Sequence, residues 1–199
     1  MKTIFDFIVK PKQGRNNNEK IINGKTLILN TEFQNHNFVS REGIVISVPF
    51  NDNSGIKVGD EVIVHHNVFR RYRDIRGVEK NSRSYYKEDM FFVGPDQIYA
   101  YKRKNKWNAC KGFNFVKPIK ENKMFSINFE KPSVGVLKVK DSSLKDLNVG
   151  DLVGFKPGME YEFIIDNEKL YRIPTNQITI KYEYQGDEEE YNPSWAQSG

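Results

Sequence analysis

The residue types that enzymes most often use for chemistry are scarce in this sequence, which contains three histidines and one cysteine. His65 and His66 are neighbours in a predicted strand, so we expect their side chains on opposite faces, where they cannot share one metal ion. His36 is isolated in a polar segment, and Cys110 has no base placed to activate its thiol. Phosphate-binding glycine loops and nucleophile elbows are also missing. The sequence therefore predicts no catalytic residues, no metal site and no cofactor, and it disfavours an enzyme.

An apolar tripeptide inside a long polar loop is the first candidate binding feature. The segment 12–41 is rich in Asn and contains two glycines, residues that favour turns and loops. Loops of this length in compact domains are usually functional or disordered. Leu27, Ile28 and Leu29 form an apolar island in its middle. They are either a short strand buried in its own domain or an apolar hook that orders on binding a partner, and the residues alone leave both readings open.

A basic, aromatic insertion at 65–87 is the second candidate feature. It contains the consecutive residues Arg70, Arg71, Tyr72 and Arg73. Positive charge beside aromatic rings is typical of nucleic-acid binding, through phosphate neutralisation and base stacking. The alternative, which we favour, is a solvated hairpin spanning about 69–86.

Composition narrows the class of protein. Aromatic residues make up 13% and charged residues 29% of the 199 positions, which is typical of a soluble globular protein. A net charge of +5 permits a nucleic-acid partner without requiring one. We find no apolar run long enough to span a membrane, no secretory signal and too few cysteines for a disulfide framework. A cytoplasmic protein is expected, and the Asn- and Lys-rich composition suggests an AT-rich bacterium or its phage.

The chain repeats four short segments in the same order, which indicates two copies of one small β unit. Many short predicted strands separated by turns, without an amphipathic helix, indicate an all-β protein built from small barrels or sandwiches. We expect a first domain at 1–103, a linker at 104–112, a second domain at 113–183 and a flexible acidic tail at 184–199. The repeated pairs are Ile8–Pro11 with Phe115–Pro118, Gly43–Val48 with Gly135–Val139, Val58–Asp60 with Val149–Asp151, and Pro95–Ile98 with Pro174–Ile178.

The ordered set of motifs resembles the GroES family of co-chaperonins, present twice over most of residues 3–183. Five segments carry the resemblance: a first strand, a loop tripeptide with its flanks, a loop exit, a Val-Gly-Asp turn and a closing segment. They are Phe7–Lys10, Thr26–Thr31, Ser40–Val45, Val58–Asp60 and Tyr161–Ile178.

This resemblance implies two tandem GroES-like β-barrels in a chain that assembles into a ring and caps a GroEL-type chaperonin. Leu27, Ile28 and Leu29 would dock in a groove of the chaperonin, whose own ATP hydrolysis drives folding of enclosed non-native proteins. The insertion at 65–87 falls where the family has its roof hairpin, so Arg70, Arg71, Tyr72 and Arg73 would line the central opening of the ring. Direct contact with nucleic acid or membrane is not expected.

The second copy departs from the family pattern because its loop, at 119–133, is short. It contains Met124, Phe125 and Ile127 but no tripeptide in a glycine-flanked setting. The number of chains in the ring also stays open, because paired barrels do not divide evenly into the sevenfold ring typical of the family. The alternative function is a structural, virion-associated or nucleic-acid-binding β protein that shares only the fold.

Overall fold

The computed structural model describes residues 3–15, 19–22, 25–28, 39–121 and 129–197, with backbone alone for 19–22 and 25–28. These residues form β-strands, and their only helical pieces are short 3₁₀ turns at Pro95–Gln97, Thr175–Gln177 and Ser194–Gln197. The prediction of an all-β protein is therefore confirmed. The chain divides into two compact units, residues 1–107 and 108–199.

Unit 1 is organised around one large antiparallel sheet that ends in β11. Along the sheet the strands follow the order β11-β10-β5-β4-β1-β9-β8, while β2 pairs with β3 and β6 with β7 in separate two-stranded sheets. The strands are β1 (Phe7–Pro11), β2 (Glu19–Ile22), β3 (Lys25–Ile28), β4 (Glu42–Ser47), β5 (Glu61–Val64), β6 (Arg71–Arg73), β7 (Glu79–Asn81), β8 (Tyr85–Lys87), β9 (Met90–Val93), β10 (Ile98–Arg103) and β11 (Lys106–Ala109).

Unit 2 contains a single antiparallel sheet in the order β15-β16-β12-β13-β14-β17. Its strands are β12 (Phe113–Lys120), β13 (Glu130–Val139), β14 (Leu152–Phe155), β15 (Tyr161–Ile165), β16 (Glu168–Pro174) and β17 (Ile178–Tyr182).

The two sheets have the same topology strand by strand. Reading β8-β9-β1-β4-β5-β10 against β15-β16-β12-β13-β14-β17 matches every strand of unit 2 to one of unit 1. The register agrees as well, because Val9 pairs with Val45 as Val116 pairs with Leu137, each just after a β-bulge. The segments that repeat in sequence thus occupy equivalent places in the two sheets.

Each Val-Gly-Asp turn has the same construction. Gly59 and Gly150 have φ values of +89° and +97°, a region that side chains with a Cβ rarely adopt. The Asp60 carboxylate accepts the Lys57 N–H at 2.8 Å, and the Asp151 carboxylate accepts the Asn148 N–H at 2.8 Å. The repeated Val-Gly-Asp motif therefore forms the same turn in both units.

Apolar side chains fill each unit separately. In unit 1, Phe69 packs edge-to-face on Phe91 with ring centroids 5.0 Å apart, and both rings are fully buried. Unit 2 has its own edge-to-face pair, Phe115 and Phe163, with ring centroids 5.8 Å apart, and both rings are buried. Each unit therefore has its own core.

Several expected boundaries differ from the structure. The predicted linker 104–112 contains β11, which pairs with β10 through a turn at Lys104 and Asn105. The expected long hairpin at 69–86 is instead two hairpins, β6–β7 and β8–β9, because Glu88 and Asp89 adopt positive φ and form a turn of their own. Within the described ranges, β8 and β11 are the edges of one sheet and β15 and β17 of the other, so strand pairing alone closes neither sheet.

The acidic tail differs most from expectation. We predicted a flexible segment at 184–199, but Glu190 forms an antiparallel bridge with Ile119, and Ala196 is buried. Ion pairs and backbone hydrogen bonds at long sequence separation, which residue types alone do not reveal, hold the tail on unit 2. Across the part of the chain that the structure describes, no helix has the length and hydropathy needed to cross a membrane.

Candidate partner-binding site

The long loop of unit 1 leaves and re-enters the sheet at one point. The Lys12 N–H donates to the Glu42 carbonyl at 3.0 Å, and the Ser40 N–H donates to the Arg15 carbonyl at 3.0 Å. Lys12 also forms ion pairs with Glu42 at 3.1 Å and Glu61 at 2.9 Å. The hydrogen bond to Glu61 is the main reason that the pKa of Lys12 is raised, with burial acting against it. These contacts make a closed neck, so the chain between its two sides begins and ends at one point of the sheet.

Arg15 connects this neck to the base of the basic hairpin. Its guanidinium donates to the Asn81 side-chain oxygen at 2.8 Å and to the Phe69 carbonyl at 3.2 Å. The same group lies over the Phe91 ring, 5.0 Å from its centroid. Burial and then the positive charge of Arg71 lower the pKa of Arg15. The neck of the loop and the base of the hairpin are therefore joined through the Arg15 side chain.

Part of the predicted tripeptide lies on a strand of the loop. Strands β2 and β3 pair antiparallel, with Leu27 opposite Lys20 and Ile28 opposite Glu19. Asn23 and Gly24 connect the paired Ile22 and Lys25, a sequence typical of two-residue hairpin turns. Leu29 lies outside the described residues, as do the side-chain surroundings of Leu27 and Ile28. In the described ranges this small sheet is separate from the seven-stranded sheet.

The predicted basic cluster lies on the β6–β7 hairpin, and its charge is partly compensated there. Arg71 forms an ion pair with Glu79 at 3.2 Å on the facing strand. Tyr72 and Arg73 are exposed, whereas Arg70 precedes β6 and is half-buried. The hairpin thus keeps a positive surface that is weaker than its arginine content implies.

The end of this hairpin is a well-ordered turn with an apolar side chain at its tip. Asp74 accepts the N–H groups of Arg76 at 2.9 Å and Val78 at 3.0 Å, and Gly77 provides a positive φ of 77°. Ile75 projects from this turn with a relative exposure of 102%. Ile75 is therefore a fully exposed apolar side chain on a hydrogen-bonded turn.

The equivalent loop of unit 2 has a neck of the same kind. The Glu121 N–H donates to the Phe129 carbonyl at 3.1 Å, which encloses only residues 122–128. Met124, Phe125 and Ile127 lie outside the described residues. The two loops connect equivalent strand pairs, β1–β4 and β12–β13, and differ mainly in length.

Two of the three histidines lie together in unit 1, and His36 lies outside the described residues. His65 and His66 lie in the turn after β5, and their rings are 4.2 Å apart with planes 30° from parallel. The expectation of opposite faces was wrong because β5 ends at Val64. Among the residues that the structure describes, no group of three or more His, Cys, Asp or Glu side chains could hold a metal ion.

Sequence reasoning missed Arg15 and Ile75. Arg15 is one arginine in a polar stretch, and nothing in the pattern indicates that its partners are more than 50 positions away. Ile75 could have been found from the Asp-Ile-Arg-Gly-Val sequence, which is typical of a tight turn with one apolar residue inside it.

No protein-family model matches this chain, and a search among curated proteins finds no significant match.

Proposed function

We propose that this chain is a co-chaperonin of the GroES type, which caps a GroEL-type chaperonin and assists ATP-dependent protein folding. The main support is the closed neck at Arg15 and Ser40. It separates a long segment with the apolar residues Leu27, Ile28 and Leu29 from a well-packed sheet. A loop whose two ends are fixed on such a neck can bind a groove on a partner while the sheet keeps its structure.

The remaining parts of the proposal follow from this binding mode. The two units are GroES-like barrels, and several chains form a ring in which weak individual loops bind together, so that avidity replaces affinity at a single site. Hydrolysis of ATP belongs to the chaperonin, and non-native proteins are clients of the enclosed cage. The hairpin that carries Arg70, Arg71, Tyr72 and Arg73 borders the opening of the ring. The proposed location is the cytoplasm of a bacterium, including one infected by a phage.

The test is co-sedimentation of the full chain with the cognate chaperonin, with and without ATP. We expect binding that depends on nucleotide. Leu27→Asp and Ile28→Asp place a charge in the apolar contact and should abolish that binding. Val149→Asp is the matched control, because it makes the same kind of change at an exposed position in the Val-Gly-Asp turn of unit 2.

Two results would contradict the proposal. One is the lack of binding in any nucleotide state. The other is normal binding of both loop variants, which would assign the chaperonin contact to a different surface. Loss of binding in Val149→Asp as well would point to damage to the fold or the ring, and circular dichroism with sedimentation velocity separates these causes.

A further inference from the structure

The acidic tail adds a short strand to the sheet of unit 2. Ile119 and Glu190 form an antiparallel bridge. The Lys120 N–H donates to the Glu189 carbonyl at 2.8 Å, and the Tyr191 N–H donates to the Pro118 carbonyl at 2.8 Å. These bonds satisfy the part of β12 that extends past its pairing with β16, which ends at Val116. The tail therefore occupies a strand-binding position on β12.

Ion pairs fix the register of this added strand. Glu189 pairs with Lys120, and Glu190 pairs with Lys138 at 2.5 Å and with Lys117 at 3.6 Å. The ion pair with Lys120 is also the main cause that lowers the pKa of Glu189. Two consecutive carboxylates thus contact a row of lysines on β12 and β13.

The last residues of the tail extend the contact. The Asn192 side-chain oxygen accepts the Lys169 N–H at 2.9 Å, and the Asn192 amide donates to the Asn167 carbonyl at 3.1 Å. Lys169 Nζ lies 5.7 Å from the centroid of the Trp195 ring. Ala196 is buried, so the tail ends in an apolar anchor.

The basic face under the tail is a property of unit 2 and not of the shared fold. The matched registers of β1–β4 and β12–β13 place Lys138 at the position of Ile46, whereas Lys117 matches Lys10. Counting on along the chain from the paired prolines Pro11 and Pro118, Lys120 matches Gln13. Unit 1 thus forms its sheet without the lysines that correspond to Lys120 and Lys138.

The tail is joined to β17 by an exposed connector, residues 183–188. Within it, the N–H groups of Gln185 and Gly186 bond to the carboxylate of Glu188, which makes a small local loop. The Lys120–Glu189 pair is itself exposed, at 49% and 67%, so solvent screens it and its contribution to stability is small. This outer contact can therefore open at little cost. The connector is tied to unit 2 at Tyr184, whose hydroxyl donates to the Gly150 carbonyl at 2.7 Å, so residues 185–188 are the part that can take another path.

We propose that the face formed by Pro118–Lys120 and Lys138 is a binding site for an acidic β-strand, filled in assemblies by the tail of a second copy of this chain. Exchange of tails keeps every bond described above, because an identical segment makes identical contacts in the other chain. Recognition combines main-chain pairing with side-chain charge, as in other cases where a strand is added to the edge of a sheet. The proposal concerns contacts between copies and does not depend on the binding of a chaperonin.

The test uses two full-length charge-reversal variants. E189K/E190K reverses the tail, and K120E/K138E reverses the face, so neither variant can pair its own tail with its own face. In an equimolar mixture each tail meets a complementary face on the other chain. Hydrogen exchange measured by mass spectrometry, with one variant labelled with ¹⁵N, reports the Tyr191 amide in each. The Leu137 amide, bonded to the Asp151 carbonyl in the core sheet, checks that the fold is intact.

We expect the Tyr191 amide to exchange quickly in each variant alone and roughly tenfold more slowly in the mixture, a factor equivalent to about 1.4 kcal/mol. The variant with all four changes restores complementary pairs within one chain and should be protected without mixing. Protection in that variant but not in the mixture would overturn the proposal, since the face would then accept only its own tail. Protection of either double variant alone would also overturn it, because charge would not be selecting the strand.

Discussion

Replacing Asp141 should remove a buried polar clamp and destabilise unit 2. The Asp141 carboxylate is 1% exposed and accepts hydrogen bonds from Gly112 N at 2.8 Å, Thr175 Oγ1 at 2.9 Å, and both Ser143 N and Oγ at 3.1 and 2.7 Å. The clamp joins the start of β12, the chain after β13 and the turn before β17. In Asp141→Ala these donors lose their common acceptor.

The expected loss follows from which donors can find water. Ser143 is exposed, so its two donors can turn to solvent at little cost. Gly112 N and Thr175 Oγ1 are half-buried, and a net value of about 1.5–3 kcal/mol for each bond to a charged acceptor gives about 3–6 kcal/mol. That is a large fraction of the stability of an ordinary domain, which is about 5–15 kcal/mol.

The effect should depend on pH in a defined direction. Burial by itself would raise the pKa of Asp141, but the hydrogen bonds from Gly112, Ser143 and Thr175 outweigh it and hold the pKa below its ordinary value. A carboxyl group whose pKa is lower in the folded state adds stability above its unfolded pKa and loses it as the pH falls through the folded value. The difference between the wild type and Asp141→Ala should therefore shrink in acid.

Urea denaturation in a Trp107→Phe background, where Trp195 of unit 2 is the one tryptophan of the sequence, measures the free energy of unfolding of unit 2 with and without Asp141→Ala, at about pH 7 and about pH 3. Asp146→Ala is the control, because Asp146 is an exposed aspartate a few residues away and should leave the midpoint unchanged. A loss below about 1 kcal/mol at neutral pH, or a loss that does not decrease in acid, would refute the role assigned to the clamp.

Three further outcomes are expected. Gly135→Ala should destabilise unit 2 by about 1–3 kcal/mol or more in urea denaturation, because a Cβ would lie 2.3 Å from the Lys117 carbonyl oxygen; an unchanged midpoint would contradict this close approach. Arg15→Gln should increase cleavage near the loop neck in limited proteolysis while circular dichroism stays unchanged, and equal cleavage rates would show that this arginine does not brace the neck. Tyr171 should ionise near pH 12, because burial and its hydrogen bond to Glu130 raise the pKa to about 12. Its contribution to stability is therefore present below about pH 10 and lost as the pH rises, and ultraviolet titration of Tyr171→Phe should lack this late step.

Strands with short-range signals can be recognised from the sequence. β5, β9 and β14 each consist of alternating or continuous apolar residues between turn residues, a pattern that defines a strand locally. Asp166 and Asn167 have positive φ values in the turn between β15 and β16, where Asp-Asn is a sequence that favours hairpin turns. In the candidate site, the loop and the basic stretch were both recognised from residue types alone.

Contacts between distant residues could not be predicted in this way. Arg15 bonds to Asn81, 66 positions away, and Glu189 pairs with Lys120, 69 positions away. Solvated segments often contain an arginine among asparagines or a run of glutamates near a terminus. Residue type therefore indicated solvent around Arg15 and Glu189, whereas both side chains contact distant residues of the folded units.

The repeat, the all-β class and the Val-Gly-Asp turns could be read from residue order, because each depends on neighbours within about ten positions. The contacts of Arg15 with the base of the hairpin, the neighbouring histidine rings after β5 and the docked tail depend on the folded sheets. Charged groups and hydrogen-bond donors that are dozens of residues apart come into contact only after strand pairing has fixed their positions. These long-range contacts define the candidate sites.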